Sequence, residues 1–78
     1  MTKKKQIDKL SKHLKEHGSI TALDAFRLYG IYRCSARIFE LRENGYQIDT
    51  ERITIVNRYG EKIHTARYIF ISEPGAAA

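Results

Sequence analysis

The stretch from Thr21 to Tyr46, TALDAFRLYGIYRCSARIFELRENGY, restricts the fold more than any other part of the chain. It divides into two short helical patterns about one glycine. Thr21 suits an N-cap, and Asp24 three residues on puts an acid where the free N–H groups of a helix start favour it. The first of these helices therefore covers about residues 22 to 29, with Leu23, Phe26 and Tyr29 expected to face inward. Gly30 closes it, and Ile31 plugs the turn from within. The next helix runs from about Arg33 to Asn44 and stops at Gly45. Cys34, Ile38 and Leu41 recur within it at i, i+4 and i+7, so they share one stripe, which must be its core face.

Upstream, Ile7, Leu10 and Leu14 make a narrow apolar stripe on a helix from about Lys4 to His17, with Lys9, Lys12, Lys15 and Glu16 on its wet side. Gly18 ends it, because glycine takes a left-handed cap at little cost. Ser19 and Ile20 form a short extended link, and Ile20 is placed to supply a short third, outer strand. Past Gly45 the apolar period falls to two. Ile53 and Ile55 alternate with Arg52 and Thr54, which is strand spacing with β-branched enrichment. The segment NRYGE, Asn57 to Glu61, reads as a turn. The run ARYIFI, Ala66 to Ile71, is apolar on both parities and so predicts a central strand covered on both faces. Residues 47–71 together make a β-hairpin. The fold class is α+β: three helices followed by a hairpin. A chain of 78 residues holds one core. The expected organisation is a basic arm over residues 1–5, a folded domain over 6–71 and a flexible tail over 72–78.

The formal charge is +5, and its placement is uneven. Residues 1–45 carry ten basic and five acidic side chains, whereas residues 46–78 carry four of each. The surplus therefore belongs to the helical half, which argues for a polyanionic partner. One cysteine allows no internal disulfide, and no apolar run reaches transmembrane length. The expected location is the cytoplasm, or the bacterial nucleoid if the partner is DNA, with no membrane association.

Three helices followed by a hairpin is the winged helix-turn-helix order. Thr21, Leu23, Ala25, Gly30 and Ile31, then ARIFELRENGYQI (Ala36 to Ile48) and ARYIF (Ala66 to Phe70), resemble the small winged helix-turn-helix proteins of bacteriophages and prophages. The resemblance spans roughly residues 5–71 and implies a DNA-binding transcriptional regulator. Small excisionases, which bend DNA for recombination, are an architectural variant of the same binding mode.

A helix, a glycine turn and a second, basic helix is an arrangement that lays one helix in a DNA major groove. N-terminal residues of such a helix reach base edges, so Arg33, Ser35, Ala36 and Arg37 are the leading contacts. Arginine can bridge guanine O6 and N7, and Ala36 can meet a thymine methyl. Tyr32, Ala36, Glu40 and Glu43 are expected to point most directly outward. Glu40 either accepts from cytosine N4 or pairs with an arginine of its own helix. On the hairpin, Arg58 and Lys62 flank the tip and can sit on phosphates, with His64 and Arg67 lower down. Lys4 and Lys5 in the basic arm add salt-dependent attraction without sequence information. The expected partner is double-stranded DNA, bound by a homodimer or a cooperative assembly because one such domain covers little surface. A second reading is a protein-interaction module for a host partner, with Tyr32, Phe39, Glu40 and Glu43 as its face. RNA ranks third, since no exposed aromatic sheet motif for stacked bases is evident.

The pattern His13-Leu14-Lys15-Glu16-His17 has the H-x-x-E-H spacing of a zinc peptidase helix. Gly18 ends that helix at once and no third ligand is evident, so the match reads as coincidence and no metal is expected. Cys34, on the core stripe, reads as a small buried hydrophobe rather than a redox centre. No nucleophile with its base, no paired carboxylates and no phosphate-cradling glycine loop are present. The chain is expected to need no cofactor and to be a non-enzyme.

Overall fold

A computed structural model describes residues 3–75. The elements follow in the order α1 (Lys3–His17), β1 (Ser19–Thr21), α2 (Ala22–Tyr29), α3 (Cys34–Glu43), β2 (Gln47–Val56) and β3 (Lys62–Ser72). α1 already begins at Lys3, so Lys4 and Lys5 ride exposed on its first turn rather than on an extended arm. The first two residues of the expected arm lie outside the described residues. None of the described helices is long and apolar enough to cross a membrane.

One core joins the three helices to one side of the sheet. Leu10 and Leu14 of α1, Ile38 and Leu41 of α3, and Ile31 of the α2–α3 link are fully buried or nearly so, with Cys34, Ile48 and Tyr68 beside them. The expected stripe of α3 is therefore its core face. α2 is turned differently from its expected orientation. Ala25 is its buried residue, flanked by the partly buried Ala22 and Tyr29, while Leu23 and Phe26 remain 41% and 44% exposed. A two-turn helix that packs through alanines comes close to the core and leaves its larger side chains at the rim. Gly30 then turns the chain at φ 66°, and its N–H donates to the Phe26 carbonyl. Positive φ is what calls for glycine there. The next N–H, of Ile31, donates to Ala25 O and directs the isoleucine inward.

The three strands are antiparallel in the order β1-β3-β2. The expected third strand at Ile20 is present: Ser19, Ile20 and Thr21 stand opposite Ile69, Tyr68 and Arg67. β2 and β3 form the long hairpin, from Gln47 opposite Ser72 to Val56 opposite Lys62. β3 is central in pairing, but it is covered on one face only, which corrects the double-sided expectation. Ala66, Tyr68 and Phe70 share a parity and meet the core, while of the other parity Ile69 is only half-buried and Ile71 is exposed. Three short helices make one layer, and none remains for the opposite face.

Two long-range ties complete the frame. The guanidinium of Arg42 donates to the Ile48 carbonyl from Nε at 3.0 Å and Nη2 at 2.6 Å, and from Nη2 to Thr50 Oγ1 at 2.7 Å. This clamps the last turn of α3 to the start of β2. The chain after β3 is not a loose tail over residues 73–75: Glu73 meets Lys15 Nζ at 2.8 Å, and Pro74 lies against Gly45. The rest of the expected tail, residues 76–78, lies outside the described residues.

Candidate nucleic-acid interface

Burying Cys34, Ile38 and Leu41 forces the opposite side of α3 outward. Arg33 is the N-cap residue, and its side chain makes no capping bond. Arg33 and Ser35 are exposed, and Ala36 is half-buried. Tyr32, just before the helix, is 83% exposed, and Phe39 on the next outward turn is 60% exposed.

Arg37, Glu40 and Arg42 on α3 are held by partners, whereas Glu43 in the last turn is exposed. The Arg37 side chain is only 13% exposed, and its Nη2 lies 2.9 Å from Glu40 Oε1. Its Nε is buried without a hydrogen-bond partner. Glu40, expected to point outward, instead folds onto Arg37, so its charge is compensated within one turn. Arg42 is the clamp to β2.

The hairpin supplies the second part. Asn57 organises its tip: Oδ1 accepts from the N–H groups of Tyr59 and Glu61, and Nδ2 donates to Glu61 Oε1. Gly60 takes φ 78° to close the turn. Arg58 and Lys62 are both exposed. Lower down, His64 Nδ1 lies 3.2 Å from Thr54 Oγ1, and Arg67 faces Glu51 across the strands at 3.8 Å. Glu61 is thus engaged by Asn57, and neither cation at the tip is paired with it.

A groove of about 300 Å³ joins the two parts, lined by Leu23 and Phe26 of α2, by Tyr32, and by Ile55 and Ile63 of the hairpin. Phe26 and Tyr32 stack obliquely across it with ring centroids 4.9 Å apart. The N-terminal end of α3, where Arg33 and Ser35 sit, is therefore adjacent to the hairpin. Lys4 and Lys5 belong to a different element, the first turn of α1. The apolar rim escaped the sequence reading because Leu23 and Phe26 were assigned to the core; the alternative alanine stripe at residues 22 and 25 was the available signal.

Other titratable groups are structural in setting. Burial pushes the Cys34 thiol up to about 11, which keeps it protonated and unreactive. His13 Nδ1 lies 2.8 Å from the Tyr29 hydroxyl, and the His13 and His17 rings are 4.5 Å apart. Among the described residues no group of three or more His, Cys, Asp or Glu is placed to hold a metal.

A helical layer on a three-stranded sheet, with a turn before an outward-facing helix and a projecting hairpin, defines the winged-helix class, an architecture suited to DNA binding. The chain belongs to the family described as the winged helix-turn-helix domain, whose family model matches residues 5–76. No curated protein and no solved structure matches it.

Proposed function

We propose that this protein binds double-stranded DNA in a sequence-specific way, as a transcriptional regulator of the phage or prophage kind. In this reading α3 enters the major groove and the hairpin lies along the backbone. The observation that carries it is the division of α3. One side is sealed into the core, while Arg33, Ser35 and Phe39 stand exposed, and the tip of the hairpin presents Arg58 and Lys62. Arg33, Ser35 and Ala36 are the residues of the groove face, Arg37 and Glu40 border it as an ion pair, and Arg58 and Lys62 sit on phosphates. Lys4 and Lys5 contribute sequence-independent attraction. One domain of this size covers little DNA, so useful affinity calls for a homodimer or for cooperative binding at adjacent sites.

An NMR titration with a generic duplex at low and moderate salt tests the reading. Shifts at residues 32–42 and 57–67 that weaken as salt rises support it. The absence of shifts at low salt refutes it. The groove between α2 and the hairpin favours one competitor, a protein-docking module. Salt-insensitive binding of a host protein, with shifts at Leu23, Phe26 and Ile63 alone, supports that competitor.

A further inference from the structure

Resting on the DNA reading above, we propose that the centre of α3 reads thymine methyl groups, with Phe39 as the main reader, rather than guanine edges. The argument begins with the arginines. Bidentate recognition of guanine O6 and N7 needs a guanidinium that can extend from the helix into the groove. Arg42 points its fork away from the outer face, at the Ile48 carbonyl and Thr50. Arg37 lies along the helix, mostly buried and paired with Glu40. Of the arginines on α3 and at its N-cap, Arg33 alone has no partner among the described residues, and it sits at the helix end, not in the middle.

What the middle offers is of another kind. Ala36 lies about opposite the core stripe, and Phe39 is one turn further along the same side. Ser35 precedes them with a hydroxyl that can donate or accept. Glu43 also faces outward, but in the last turn, away from the N-terminal half that such helices insert. The central surface is thus a phenyl ring and a methyl group, with one acid already turned aside onto Arg37. In a major groove the apolar complement to such a surface is the thymine 5-methyl. A large exposed aromatic on the groove face would otherwise stay in contact with water after binding.

The proposal is tested with duplexes that differ in that methyl alone. Fluorescence anisotropy would measure affinity for alternating adenine–thymine and adenine–uracil duplexes of about two helical turns, and for guanine–cytosine and guanine–5-methylcytosine duplexes. Uracil in place of thymine should weaken binding roughly fourfold for each methyl engaged, and 5-methylcytosine should strengthen it. In Phe39→Ala the thymine-to-uracil ratio should fall to near one while the salt dependence persists. Phe39 is exposed, so the truncation leaves the core intact, and a thermal melt verifies it. Arg33→Ala should weaken binding to all four duplexes without altering the ratio.

Equal, salt-dependent binding of thymine and uracil duplexes by the unaltered protein would overturn methyl reading and leave DNA binding standing. A ratio unchanged in Phe39→Ala would overturn the assignment to that ring. Failure to bind any duplex at low salt would remove the DNA reading itself, and this inference with it.

Discussion

Arg42→Ala separates an arginine that holds the fold from one that touches DNA. The side chain makes three hydrogen bonds, two to the Ile48 carbonyl and one to Thr50 Oγ1. Hydrogen bonds from a charged donor contribute about 1.5–3 kcal/mol each when well buried. These are only part-buried, and the one to Thr50 is exposed. A total near the lower end, about 2 kcal/mol, is the reasonable sum for the whole fork. For a domain of this length that corresponds to a melting point lower by roughly 8–16 °C. Circular dichroism melts measure it directly. Arg42→Lys should recover little, because an ammonium cannot reproduce the forked geometry. Duplex affinity measured well below both transitions should keep its salt dependence, since no phosphate contact has been removed. The reasoning is refuted if Arg42→Ala melts like the unaltered protein but loses about one unit from the salt slope, for Arg42 would then be a phosphate contact.

Glu40→Gln removes the carboxylate facing Arg37, so duplex affinity at low salt should rise several-fold and the salt slope steepen by about one; a loss of affinity would instead place Glu40 on a base, as an acceptor from cytosine N4. The buried Cys34 thiol should resist a disulfide reagent at pH about 8 in the folded protein and react fully in denaturant; rapid labelling of the folded state would contradict its burial. His13 is held below its ordinary pKa by burial, with the His17 charge second. Its unfolded form binds protons first, so the stability it contributes is present above about 6.5 and is lost as pH falls toward the depressed folded value. Melting points compared at pH about 7.5 and 5.5 should fall on acidification, and less so in His13→Gln; equal falls would show that other groups carry the effect.

The architecture was legible because its signals are periodic. Leu10 and Leu14 and the stripe of Cys34, Ile38 and Leu41 fix an element and a face, while the alternation at Ile53 and Ile55 fixes a strand alone, since both residues stand outside the buried core, on the other parity from Ile48. The orientation of α2 was not legible, since Ala25 carries little hydrophobic signal beside Leu23 and Phe26. Only the approach of the helix to the core decides between them. The face count of β3 failed for a related reason: ARYIFI is apolar on both parities, but three short helices cover only one. Exposure at Arg33, Ser35, Arg58 and Lys62 could be read from helix phase and turn chemistry. The difference between Arg33, Arg37 and Arg42 could not, because it depends on a carboxylate one turn away and a carbonyl on the next strand.

The placement of β3 has a consequence for how the chain is made. The strand that lies between β1 and β2 is the last one synthesised, and it supplies Tyr68 to the core that the helices began. Until residues 62–72 leave the ribosome, β1 has no neighbour, β2 has no return strand, and the buried stripes of α1 and α3 lack their floor. The helices are therefore made well before the closure between residues 19–21 and 67–69, which spans most of the domain. A ribosome stalled before that point would hold a nascent chain with exposed isoleucines and an unpaired strand edge, the species most open to chaperone capture or degradation.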